Sequence, residues 1–498
     1  MLTRLYVDGF KNLVDTEIRF GAFTCIAGTN AVGKSNVFDA IMFMAALADK
    51  TFVDASLHVR ESETAAADLR NIFTRSGNKW SERLTIEAEM IIPKTGTDDL
   101  GQTATARSTY VKYRLVLRLR ETASIDARPD VELIEEELTY KRKEDARKEL
   151  GFETSSAWID SVIVGGRTKP LISTNTKSGE RHVVKLSQDG RQGRTRDIAA
   201  DSLPRTVLST ATAEYPTAAL VRNELRSWRL LQLEPSAMRA PDTLQAPSRM
   251  EANGRHMPSM LLHLAQHRAS FADPGARDPD VLAQISSRLA KLIDDARSVK
   301  SVVDNARNNI VLTVLLRDGT EHPASSLSDG TLRFIALSML EADSRVGGIV
   351  CLEEPENGIH PERMPAMIEL LEDMAVSTLR AVNEENPLRQ VVINTHSPVI
   401  VGLVSDGSLL FVKRVHKRTQ IGLVSSVSPM HLEGTWRDRT SHERRISRAD
   451  IRRYLRPLDD ATGPQSQPAT DQPASGQRVA KRPEYTDQGS LFAQSETD

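Results

Sequence analysis

The sequence predicts an α/β fold: a mixed sheet flanked by helices, joined to an antiparallel β lobe, a mixed insertion and a disordered C-terminal tail. Three observations lead there. Compact apolar runs at residues 23–27, 349–352 and 390–394 read as buried strands, and the first two lead on to helix-length segments at 36–44 and 364–382. Near-alternation of apolar and polar residues at 84–92, 110–119 and 131–140 reads as half-buried antiparallel strands. From Pro457 onward Pro, Gln, Ser, Thr and Asp dominate, a composition too polar to form a core.

At 498 residues the chain is too long for one ordinary core. We divide it into 1–50 and 305–430 as two parts of one α/β core, 51–304 as a β lobe with an α/β insertion, 431–456 as an Arg-rich segment and 457–498 as a tail. The 65 basic and 67 acidic residues leave a net charge of −2, so a nucleic-acid partner would have to meet a local patch. Cys25 and Cys351 lie far apart in apolar runs, which excludes a disulfide scaffold and reads as two buried thiols. The N-terminus has no apolar leader and no run approaches a membrane span; the expectation is a soluble, cytoplasmic protein with no membrane partner.

The strand at 23–27 runs straight into Gly28-Thr29-Asn30-Ala31-Val32-Gly33-Lys34-Ser35, and Asn36 follows inside the next helix. This is G-x-x-x-x-G-K-[ST] after a strand and opening a helix, the setting the motif requires. The glycines let the loop wrap close to phosphate, and its backbone N–H groups form an anion nest. Lys34 adds a cation for the outer phosphates, and the Ser35 hydroxyl can ligate Mg²⁺.

Later segments supply what could be the rest of such a site. Leu327-Ser328-Asp329-Gly330-Thr331 opens a helical run at 332–340; alone it is an ordinary N-cap. The strand at 349–352 ends in Glu353-Glu354-Pro355-Glu356, where paired carboxylates can hold a metal and orient a water. The strand at 390–394 ends in Thr395-His396-Ser397-Pro398.

Elsewhere the reading is blander. Residues 141–149 are a solvated helix face or loop, 165–201 a mobile loop or hairpin, 220–233 a helix ending in a strand, and 281–299 has helical periodicity. Arg181, Lys185, Arg191, Arg194 and Arg196 have no interleaved aromatics to stack bases, so solvated surface outweighs a nucleic-acid site. Arg437, Arg439, Arg444, Arg445, Arg448, Arg452, Arg453 and Arg456 form the densest basic stretch, read as a solvated helix or a phosphate-facing patch.

With these motifs in this order, the chain resembles ABC-type P-loop ATPases of the RecF, SMC and OLD-like group, especially the compact AAA-like ATPases of prokaryotic defence systems. The resemblance covers residues 1–50 and 305–415 well and the insertion weakly. It implies that Gly28 to Ser35 form the Walker A loop, 327–331 the signature, Glu353-Glu354 the end of the Walker B strand, 357–360 the D-loop, and His396 the switch histidine. It further implies ATP and Mg²⁺ as cofactors, with Ser35 and Glu353 on the metal, Glu354 polarising the attacking water and His396 on the γ-phosphate. Two copies would sandwich two ATP molecules, each between one subunit's Walker A loop and its partner's Ser328 and Gly330.

Two departures from the family pattern stand out: Asp329 replaces the second signature glycine, and Glu353 replaces the usual Walker B aspartate. After 427 too few acids remain for an OLD-type nuclease, and no heptad run supplies an SMC arm. The expectation is therefore an ATP-driven sensor or regulator, in defence or DNA maintenance, with a separate effector such as a nuclease or toxin. RecF-like DNA binding and an ATP-gated scaffold without catalysis are the alternatives.

Overall fold

The computed structural model describes residues 1–59, 68–120, 130–165, 169–175, 182–190, 193–200, 203–267, 279–293, 295–439 and 444–455. Two sheets dominate. A seven-stranded sheet runs, from edge to edge, Arg229–Leu231, Gly348–Glu353, Arg389–Thr395, Phe23–Ala27, Leu409–Thr419, Gly422–Leu432 and Arg445–Ile446. Its first five strands are parallel; Gly422–Leu432 returns antiparallel. An eight-stranded antiparallel sheet runs Thr195–Ala199, Val183–Ser187, Ile172–Asn175, Asp130–Tyr140, Tyr110–Arg120, Arg83–Ile91, Leu2–Asp8 and Thr16–Arg19.

The parallel strands are buried on both faces, and their period of two deals alternate side chains into two cores. Ile26, Ile349, Cys351 and Val392 point into the core shared with the antiparallel sheet. Cys25, Val350, Leu352, Val391 and Ile393 point the other way, against the helices Met257–His267, Pro279–Leu292, Asp329–Ala342 and Met364–Met374. The helix Lys34–Leu47 lies in the first core and is buried almost all round, which its apolar sequence Val37-Phe38 to Leu47 requires.

This arrangement changes several expectations. Strands from 1–50 and from the expected lobe share one antiparallel sheet, because Leu2–Asp8 pairs with Arg83–Ile91; residues Met1–Leu455 pack as one unit. Helical periodicity over 281–299 holds only for Pro279–Leu292; the chain then turns into the strand Ala296–Asp304, whose register with Asn309–Leu316 overrides the local pattern. The described parts of 165–201 add three strands to the antiparallel sheet, among them Lys185 in Val183–Ser187. The helix and strand expected at 220–233 are Pro216–Ser227 and Arg229–Leu231.

The Arg-rich segment is not one solvated helix. Arg437 is wholly buried and donates to the carbonyls of Arg19 (2.9 Å) and Gly407 (2.6 Å) and to Thr24 Oγ1 (3.1 Å). Arg445 pairs with Asp438 and Arg448 with Asp406, and the helix runs only over Arg448–Leu455. Arg181, Arg191, Arg456 and the tail lie outside the described residues. Among those residues, no helix is long and apolar enough to cross a membrane.

One buried carboxylate ties two strands of the antiparallel sheet to the segment at 207–208. Glu136, fully enclosed, accepts from the amides of Val207 (2.7 Å) and Leu208 (2.8 Å) and from the Tyr113 hydroxyl (3.1 Å). Burial nevertheless pushes its carboxyl from 4.5 up to about 7, the three donors offsetting only part of the desolvation. A carboxyl raised on folding binds its proton more tightly in the folded state, so its contribution is fully present below about pH 4.5 and lost as the pH rises through 7. Glu136→Gln, which stays neutral, should therefore gain thermal stability relative to the parent between pH 5 and pH 7.5. A Tm difference that stays flat across that range would contradict the shift.

Candidate active site

The site is assembled at the carboxyl ends of three neighbouring parallel strands, where a parallel sheet presents its ligands. In register, Glu353 lies beside Asn394, Asn394 beside Ile26 and Thr395 beside Ala27. The chain leaves these strands as the glycine loop, as Glu354 and as His396, so segments far apart in sequence face one cavity. That cavity, about 580 Å³, is lined by Asn12, Asn30, Ala31, Gly33, Lys34, Ser35, Asn36, Glu353, Glu354, Asn357 and Asn394.

The loop closes on itself around Lys34. Its ammonium donates to the carbonyls of Gly28 (2.8 Å) and Thr29 (3.0 Å). Burial makes this ammonium easier to deprotonate than a free lysine, and the carboxylates Glu354, Glu356 and Glu353 counter that effect. Both glycines are forced. A Cβ on Gly28 would meet the Val412 carbonyl at 2.7 Å, and one on Gly33, at φ +109°, would meet the Asn12 amide at 2.3 Å. Asn12 is the loop's brace: it donates to the Val32 carbonyl (3.1 Å) and accepts from the Asn36 amide (2.7 Å).

Across the cavity, Glu354 takes a left-handed backbone, φ +46°, uncommon for a side chain of its size. Its amide is held by both the carbonyl (3.1 Å) and the side-chain oxygen (3.0 Å) of Asn394. Its carboxylate contacts His396 Nδ1 (2.7 Å) and accepts from the Asn357 amide (3.0 Å). Burial alone would raise this carboxyl; the Asn357 and His396 hydrogen bonds, with the charges of His396 and Lys34, outweigh it and hold it below its ordinary value. Glu353 is approached by the Asn394 amide at 3.5 Å. Glu356 is buried, accepts from the Thr395 hydroxyl, and is raised above its ordinary value by burial.

Of the residues singled out from sequence, Asn30, Ala31, Gly33, Lys34, Ser35, Asn36, Glu353 and Glu354 line the cavity. Gly28 and Thr29 contribute carbonyls to Lys34, Val32 packs into the core, and His396 reaches the cavity through Glu354. Ser328 and Gly330 do not line it. Ser328 caps the helix Asp329–Ala342 through the Thr331 amide, and Gly330 fits because its missing Cβ would sit 2.5 Å from the Gly358 carbonyl. Sequence reasoning missed Asn12 and Asn394 as site residues. A polar residue closing a buried strand was the available signal for Asn394; Asn12 offered none, since its contacts depend on a loop closing from elsewhere in the chain.

The oxygen set of Ser35 and Glu353 beside an ammonium and a loop of amides suits a hard divalent cation with a polyphosphate. Fold and site together are those of an α/β protein with a glycine-rich phosphate-type loop at the carboxyl edge of a parallel sheet. Residues 175–402 match the family described as "AAA domain, putative AbiEii toxin, Type IV TA system". That segment holds residues 327–331, the acidic strand end and His396, while the glycine loop lies before it. No curated protein matches the chain.

Among solved structures, similarity is found to an SMC head bound to the C-terminal winged-helix domain of ScpA, at 14% identity and TM-score 0.45, covering 87% of this chain and 98% of that one. The SMC head domain from Thermotoga maritima follows at 12% and 0.35, covering 86% and 99%. The Pyrococcus furiosus Smc head with an extended coiled coil, bound to the C-terminal domain of ScpA, stands at 12% and 0.40, covering 86% and 96%. All three are distant likenesses.

The brace on the loop yields a stability prediction. Gly33→Ala combines a left-handed φ with a collision against a pinned Asn12, and should cost about 1–3 kcal/mol in denaturant unfolding. An unchanged midpoint would mean that Asn12 yields freely.

Proposed function

We propose that this chain binds ATP with Mg²⁺ in the cavity between the glycine loop and Glu354 and hydrolyses it. The observation that carries the reading is Glu354, fixed by Asn394, His396 and Asn357 and facing Lys34 across one cavity. The loop amides and Lys34 hold the phosphates. Ser35 and Glu353 would hold the metal, which would supply charge neutralisation at the phosphate oxygens. Glu354 accepts a hydrogen bond from the attacking water and draws off its proton. The water oxygen bonds to the γ-phosphorus, the bond to the bridging oxygen breaks, and ADP and phosphate leave. His396 steadies Glu354, and in this reading it also serves the γ-phosphate.

Ser328 and Gly330 lie away from this cavity, which fits their use by a second copy in a head-to-tail dimer closed by two ATP molecules. The description of the matched family supports a place in a toxin-type or defence system; we read the chain as a cytoplasmic sensor or regulator with a separate effector, a nuclease or toxin. RecF-like DNA binding loses support from the Arg-rich segment, where Arg437, Arg445 and Arg448 are committed to internal partners.

Glu354→Gln should lower ATP turnover about 10²–10⁴-fold while leaving ATP-dependent dimerisation intact; a steady-state phosphate-release assay paired with light scattering reads both, and wild-type turnover in the variant would remove Glu354 from its role. Lys34→Ala should weaken ATP binding about 10–100-fold by calorimetry. Unchanged affinity would mean that the loop is not the phosphate site.

A further inference from the structure

The departure at Asp329 has a partner the sequence does not reveal. Arg239, at the end of the short helix Pro235–Arg239, reaches the start of the helix Asp329–Ala342 and donates through Nη2 to the Leu327 carbonyl (2.9 Å) and to Asp329 Oδ1 (2.5 Å). The pair is solvent-facing, with the Asp329 side chain 48% and the Arg239 side chain 30% exposed. Gly330, by contrast, is sealed against the Gly358 loop, and Ser328 is engaged with Thr331. The group that this end of the helix offers outward is therefore an ion pair.

We propose that Arg239 is a positioning residue that acts in trans: it neutralises Asp329 on the face that a second copy's ATP approaches, so that the signature helix can accept a polyphosphate despite its carboxylate. The inference rests on the head-to-tail dimer proposed above. A bare carboxylate on that face would repel the nucleotide's phosphates at close range, whereas the pair is neutral and keeps a planar guanidinium, suited to phosphate oxygens, at the interface. Arg239 is outside the cavity of its own subunit, so removing it leaves the nucleotide pocket of the monomer untouched. Its effect belongs to assembly.

The test uses the full-length chain in the Glu354→Gln background, with sedimentation equilibrium in Mg-ATP and ATP affinity measured on the monomer. Arg239→Ala should weaken the ATP-dependent dimer at least tenfold with monomer ATP affinity and Tm unchanged. Arg239→Gln, which retains a donor for Leu327, should weaken it similarly. Asp329→Gly combined with Arg239→Ala should restore the dimer to within about threefold of the parent. A parent that dimerises while Arg239→Ala and Arg239→Gln dimerise equally well overturns this inference alone, as does a double variant no better than Arg239→Ala. A parent that stays monomeric in ATP overturns the dimer reading and this inference with it.

Discussion

The strand Arg389–Thr395, buried at every residue, is the member on which the site depends. It pairs in parallel with the acidic strand on one side and with the strand of the glycine loop on the other. A slip of one residue in either register would swap the core faces of the strands and move the acids away from the loop. Asn394 turns this register into site geometry, since its backbone and side-chain oxygens together hold the Glu354 amide in a conformation a glutamate would not otherwise keep. Local strain at Glu354 is thus offset by hydrogen bonds from a rigid neighbour.

Buried arginines carry the same logic outward. Arg389, one end of that strand, donates to the carbonyls of Leu340 (2.7 Å), Asp343 (2.8 Å) and Val346 (2.8 Å), closing the C-terminal end of the helix that Ser328 opens. The positive charge sits where the helix dipole is negative, and its donors meet carbonyls that would otherwise be orphaned. Burial pulls this guanidinium down to about 10, a cost accepted because the alternative is unpaired backbone. The helix Asp329–Ala342 is therefore anchored at its far end to the strand that organises the cavity, and its N-terminal end stands free of that cavity. Arg437 does comparable work nearby, joining Arg19, Thr24 and Gly407.

The parts of the site made by contiguous residues were legible. Gly28 to Ser35 after an apolar run, Glu353-Glu354 after another, and Thr395-His396 after a third each carry their meaning in a short span, and the pattern of strand then polar turn is local. The brace formed by Asn12, the Asn394 clamp and the Arg239–Asp329 pair were not, because each joins segments whose separation in sequence says nothing about distance. The Arg-rich segment shows the same limit from the other side: composition suggested a solvated patch, but whether an arginine faces water or backbone carbonyls is settled by what packs over it, and Arg437 is covered. The helix expected over 281–299 failed for a related reason, since its second half is captured as a strand by Asn309–Leu316.

The sequence by itself determined the α/β class, the glycine loop that follows a buried strand and the identity of the acids and histidine near it, because glycine placement, strand burial and charge at strand ends are properties of short stretches. Only the tertiary structure decided that residues 1–50 share a sheet with the lobe, that Ser328 and Gly330 stand apart from the cavity, and that Asp329 has a cation to answer it. Those are matters of register and packing between distant segments, and a linear pattern of residues does not encode which strand lies beside which.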